Sequence, residues 1–71
     1  MLIVFVKQLA TLPAGNNTYT HGLGWVPDLI YGFAVGGSSA TFGYDVLTST
    51  TAHLINGAGV SLPFDLTFIK L

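Results

Sequence analysis

The sequence predicts a compact antiparallel β-sandwich or barrel of about six strands, and three observations carry that expectation. β-Branched and aromatic residues come in short runs whose side chains alternate between two faces. Clusters of Gly, Pro, Asn and Ser interrupt those runs about every 8 to 12 residues, the rhythm of short strands joined by turns. No segment holds the apolar spacing of a helix through several turns, and Gly, Pro and β-branched residues are spread along the whole chain.

The first strand is expected over residues 2–10. Leu2, Val4 and Val6 fall on one face, with Ile3, Phe5 and Lys7 on the other, so both faces are apolar as far as Lys7. A strand of this kind is either central in its sheet or held between its own sheet and a neighbouring subunit. Left bare, residues 3–6 would be an aggregation hazard, which places Ile3 and Phe5 at an expected subunit contact. The turn formers of residues 12–17 then predict a loop.

Residues 18–20 are strand formers that His21 ends. After a corner, residues 29–35 form a strand with Leu29, Tyr31, Phe33 and Val35 on one face and the smaller Ile30, Gly32 and Ala34 on the other. Small side chains there let another sheet come close, and Gly32 is a candidate bulge. Gly36, Gly37, Ser38 and Ser39 read as a hairpin connection to a strand over residues 40–48. In that strand Thr41, Gly43, Asp45 and Leu47 alternate against Phe42, Tyr44, Val46 and Thr48.

Residues 49–51 are a turn or bulge before His53, Leu54 and Ile55. Asn56-Gly57-Ala58-Gly59 is the strongest short hairpin signal in the chain, and it leads into a last strand over residues 60–71. Leu62, Phe64, Leu66 and Phe68 face inward, and Ser61, Pro63, Asp65 and Thr67 outward. Pro63 has no N–H to give, so its end of the strand is expected at a sheet edge.

The most specific stretch is Asn17 to Asp28, read as strand, tight corner, strand. His21, Gly22, Leu23, Gly24, Trp25 and Pro27 make the corner. Gly22 and Gly24 suit a backbone turning with positive φ, and Leu23 and Trp25 can plug the core beneath it. The pattern Thr-His-Gly-Leu-Gly-x-x-Pro-Asp resembles the small all-β modules of tailed-phage virion proteins, found in head-decoration proteins, fibres and tail tips. The resemblance covers roughly residues 15–35, with a weaker echo in residues 62–71. Where many such modules carry a basic residue after the second glycine, this chain has Trp25.

Composition limits the remaining choices. A chain of 71 residues allows one domain, and a domain this small buries only about 60% of the surface of its unfolded chain, so its core is marginal. With no cysteine, neither disulfides nor thiolate metal sites can staple it, and two histidines are few for zinc. Only Lys7, Asp28, Asp45, Asp65 and Lys70 carry charge, 7% of the chain against about 25% in soluble domains. A chain that is 51% apolar with so few charges is expected in a permanent assembly.

Two basic residues and a net charge of −1 cannot build a phosphate-neutralising patch, so nucleic acid is not an expected partner. Residues 2–6 have no basic stretch before them and no small-residue cleavage site after them, so neither signal peptide nor membrane span is read. The chain is read as complete and made in the host cytoplasm, with no membrane partner.

No spacing supports catalysis. His21 as base, Asp28 or Asp45 as its carboxylate, and Ser38, Ser39 or Ser61 as nucleophile lack the strained turn and following helix of a nucleophile site. His21 reads instead as a strand-ending residue whose ring hydrogen-bonds nearby backbone. His53 reads the same way. The glycine clusters have no lysine or helix after them and so are not phosphate cradles. No cofactor or metal is expected. Tyr19, Trp25, Tyr31 and Tyr44 are candidates for a glycan groove, competing with their use in the core.

The expected function joins these readings. Low charge, a two-faced first strand and missing staples imply obligate assembly, read as a homotrimer. The resemblance implies a virion structural protein: a capsid decoration (cement) protein on the capsid surface, contacting the major capsid protein or other virion proteins. The alternative is a receptor-binding knob at a fibre or tail tip that recognises host glycans.

Overall fold

The computed structural model describes residues 3–36 and 40–71. The described residues contain six strands and no helix: β1 (Val4–Leu12), β2 (Gly15–Thr20), β3 (Leu29–Ala34), β4 (Phe42–Leu47), β5 (Thr51–Asn56) and β6 (Leu62–Lys70). They form two antiparallel three-stranded sheets, sheet A in the order β1-β6-β3 and sheet B in the order β2-β5-β4. Extents of 37 × 21 × 15 Å suit two layers packed at about 10 Å. The fold is the antiparallel sandwich of the two expected forms.

The core lies between the sheets. Sheet A contributes Leu12, Ile30, Ala34, Phe64, Leu66 and Phe68, and sheet B contributes Ala52 and Leu54, all buried. Each large side chain removed from water this completely favours folding by roughly 1.5–3 kcal/mol. Aromatic rings bridge the layers: Phe68 stacks with Tyr19 at 6.1 Å, and Phe64 meets Phe42 at 5.9 Å. Gly32 is no bulge, because its register with Leu66 is unbroken. Its missing side chain makes room for Phe42, whose ring lies 2.7 Å from where a Cβ would stand.

β1 and β2 behave as one long strand folded over at Pro13 and Ala14, and β5 and β6 as another folded over at residues 57–61. β1 pairs with β6 from Val4↔Lys70 to Leu12↔Leu62, and β2 pairs with β5 from Gly15↔Asn56 to Thr20↔Thr51. The two form a single ribbon that bends from sheet A into sheet B. At the bend one strand has five residues (57–61) against two (13–14) on the other.

Asn56 fastens that bend. Its side chain is buried, its Nδ2 donates to Leu12 O and Val60 O at 2.9 Å each, and its Oδ1 accepts from Ala58 N–H. The Asn56-Gly57 hairpin expectation is therefore corrected, since β5 and β6 belong to different sheets. The asparagine that makes such turns favourable here uses its amide to bridge both arms of a corner.

Other expectations change as well. The loop over residues 12–17 shrinks to Pro13 and Ala14, because Asn17 Nδ2 donates to Pro13 O and Gly15 O and draws the asparagines into β2. β3 and β4 lie in different sheets, so the connection through Gly36 is a crossover and not a hairpin; residues 37–39 and Leu2 lie outside the described residues. Of the two arrangements expected for the first strand, the central one is excluded, because β1 is an edge strand.

Pro63, expected at an edge, sits in the central strand β6. Its carbonyl accepts from Val35 N–H, and in an antiparallel strand a residue's N–H and C=O point the same way. The missing donor thus points to Val35, just past the end of β3, so the one bond that Pro63 cannot make falls where that ladder stops.

In β4 the alternation breaks at Val46, which takes a φ of 39° where the register with β5 shifts. This bulge leaves Val46 outside and turns Leu47, expected on the opposite face from Tyr44, in toward the core with Phe42 and Tyr44. Residues 48–51 close the β4–β5 hairpin. Thr48 N–H donates to Thr51 O, and Thr48 Oγ1 accepts from Thr50 N–H and Thr51 N–H.

Candidate functional site

The corner at residues 21–28 carries the chain from β2 in sheet B to β3 in sheet A. Gly22 has φ 66° and Gly24 φ 81°, angles that a β-carbon disfavours. Turning this way, the backbone grips the β4–β5 hairpin tip: His21 N–H and Gly22 N–H donate to Thr50 O, and Gly24 N–H donates to Ser49 O. Leu23 and Trp25 pack against the core, and Pro27 is fully buried. Asp28 holds the far end, where Leu71 N–H donates to Asp28 Oδ2 and Lys70 Nζ lies 4.0 Å from it.

The His21 ring is enclosed and both its nitrogens are engaged. Leu23 N–H donates to Nδ1 at 3.0 Å, so the ring proton sits on Nε2, which donates to Thr48 O at 3.0 Å. Phe68 flanks the ring at 5.4 Å. Nothing remains free on this histidine to move a proton, and Asp28 and Asp45 bond elsewhere. Gly24→Val is expected to destabilise the fold by more than about 1 kcal/mol through backbone strain, with no contact removed. Urea denaturation checks it; a parental midpoint means that the positive φ does not constrain this position.

Beside the corner lies a polar seam that sequence reading missed. Gln8 of β1 faces inward, its Nε2 donating to His21 O while its Oε1 accepts from the Tyr19 hydroxyl. Burial raises the Tyr19 pKa above 10.0, since charge on the phenol would be poorly solvated. A glutamine among apolar residues in a strand looks like an exposed position; only the pairing of β1 with β6 turns it inward.

The two outer faces of the sandwich differ in chemistry. On sheet A the outward residues align in rows: Phe5, Ile69 and Leu29; Lys7, Thr67 and Tyr31; Leu9, Asp65 and Phe33. Phe5 is 63% exposed, Leu9 72%, Tyr31 64% and Phe33 58%. Ile3 and Val35 extend the face at its ends and are also exposed. With Leu29, these side chains present on the order of 700 Å² of surface, beyond the largest apolar patch of a typical soluble monomer.

Sheet B turns Asn16, Thr18 and Thr20 of β2 outward beside His53 and Asp45. There His53 Nδ1 and Asp45 Oδ1 are joined by a hydrogen bond across the hairpin, and Thr18 stands opposite His53 on the other side. The pair was hidden in the sequence because its register depends on the Val46 bulge and the turn at residues 48–51.

The remaining candidates do not converge. Ser61 lies in the loop before β6, and Ser38 and Ser39 fall outside the described residues. Tyr19, Trp25 and Tyr44 pack against the core while Tyr31 lies on the outer face of sheet A, so the four aromatics share no groove. The described surface has no pocket and no cluster of metal-ligating side chains. The outer face of sheet A is the broadest exposed apolar surface among the described residues. No protein family, curated protein or solved structure compared with this chain matches it.

Proposed function

We propose that this chain is a non-catalytic structural protein of a tailed-phage virion, a capsid decoration protein that works as a homo-oligomer. The observation that carries the reading is the apolar outer face of sheet A, set against a polar outer face on sheet B. A coat protein needs one surface that contacts hide and one that stays in water, and this sandwich has one of each. The virus itself rests on the resemblance of the Thr-His-Gly-Leu-Gly corner, with Ile3 and Phe5 in the subunit contact.

A decoration protein stabilises a shell by binding the assembled lattice better than its separate subunits. With so few charges, that binding comes from apolar contacts and from strand addition at the open sheet edges, and it persists at high salt. Particles stripped of the protein are expected to burst at lower temperature, and adding it back in about 1 M salt, where charges are screened beyond about 3 Å, to restore them. Stripped particles that are equally robust but fail to adsorb to host cells would replace this reading with the receptor-binding one, for which exposed Tyr31 and Phe33 offer stacking surfaces.

A further inference from the structure

The occupant of the outer face of sheet A follows from its shape, its area and its two charges. We infer that this face is closed by the same face of a second copy, related by a two-fold axis, with Lys7 of each chain opposite Asp65 of the other. The inference rests on the assembly reading and names the partner.

Symmetry gives the first argument. A ring of three requires each subunit to offer two different complementary surfaces, whereas a two-fold pair uses one surface twice. The described surface has one contiguous apolar face. Leu71 continues the outward row of β6 past Ile69, and the other exposed large apolar residues, Val26, Val46 and Val60, lie on separate elements. A single face meets the requirement of a pair and not that of the three-membered ring expected from sequence.

Area gives the second. Two faces of on the order of 700 Å² each, brought together, bury a total within the 1,200–2,000 Å² range of stable protein interfaces. Both are open three-stranded sheets, and sheets stack face to face at about 10 Å, a spacing their side chains fill by interdigitating.

Charge supplies the third argument. Among the described residues Lys7 and Asp65 are the one cation and one anion on this face, and neither is in an ion pair within the chain. They occupy adjacent middle rows, Lys7 on β1 and Asp65 on β6. A two-fold axis lying in the contact plane and running diagonally between Lys7 and Asp65 sets each opposite the other's counterpart, so the surface complements itself. An anionic membrane would instead favour several cations and no carboxylate.

The test uses the full chain and exchanges the charges. Sedimentation equilibrium of the parent is expected to give two chains per particle. Lys7→Asp and Asp65→Lys, each confirmed as folded by circular dichroism, place like charges across the two-fold contact twice over and are expected to weaken pairing by about tenfold or more. Mixing the two variants should restore it, because a Lys7→Asp chain facing an Asp65→Lys chain has both contacts attractive again.

That rescue separates a contact between copies from one within a chain, which mixing cannot repair. Failure of the mixture to pair, or variants that pair as the parent does, overturns the inference. A parent that sediments as a trimer overturns the two-fold arrangement and leaves the assembly reading in place. A monodisperse folded monomer at every concentration overturns both. Should either reversal fail to fold, Thr67→Arg, on the central strand between the two charges, takes its place. The parental association constant in that variant counts against the face.

Discussion

Asn56→Asp is expected to remove about half of the stability of the fold at 25 °C. The wild-type amide lies at 1% exposure with both N–H groups donated to Leu12 O and Val60 O. A carboxylate in the same place turns its oxygens toward two carbonyl oxygens and has no donor to replace those bonds. An unpaired charge in such a site costs about 3–5 kcal/mol, against a total stability of roughly 4–10 kcal/mol for a chain of this length.

Asn56→Ala should be milder, near 3 kcal/mol, because it leaves polar backbone unpaired without burying a charge. Urea titrations of parent, alanine and aspartate variants at one protein concentration give the order, since association contributes to apparent stability. An aspartate variant within about 1 kcal/mol of the parent would mean that the bend is held by packing alone.

Phe5→Asp has the second large expected effect, and it acts on assembly. In the single chain Phe5 is 63% exposed, so its replacement costs the fold little beyond uncovering Ile69, which it shields together with Leu29. Within a closed interface the same change buries a carboxylate against apolar neighbours. Truncated anchors of this kind typically cost 2 kcal/mol or more, so the association constant should fall by about 30-fold or more while circular dichroism stays parental. Phe5→Leu keeps most of the apolar area and should lose far less. An unchanged oligomer would place Phe5 outside the contact.

The strands were legible where alternation was undisturbed. The outward set Leu29, Tyr31, Phe33 and Val35, and the inward set Leu62, Phe64, Leu66 and Phe68, follow from period two alone and match the observed faces. What the sequence left open is which strand lies beside which. Asn56-Gly57 carries the composition of a hairpin, and only the partner of Asn56's amide, 44 residues away, reveals a bend.

Gly36 likewise could not disclose that β3 and β4 join different sheets, because turn chemistry sets local geometry and not sheet membership. The Val46 bulge was illegible for a further reason. A β-branched residue with positive φ runs against its own preference, so the surrounding pairing imposes it. For the candidate site, Ile3 and Phe5 were readable as apolar residues on the side opposite Val4 and Val6. That they belong to a broad face with Leu9, Tyr31 and Phe33 needed the sheet order β1-β6-β3.

The folded-over ribbon also sets an order of events at the ribosome. Val4 pairs with Lys70 and Leu12 with Leu62, so the earliest strand made waits for the latest, and closing so long a loop slows folding. The β4–β5 hairpin is the one strand pair joined by a short turn and can form first. Sheet A forms later, because its central strand β6 follows both of its neighbours in the chain. Until then its outward residues lie on two unpaired segments and make no common surface. A chain halted before β6 has no such face to offer, so the proposed pairing is restricted to chains whose synthesis has passed β6.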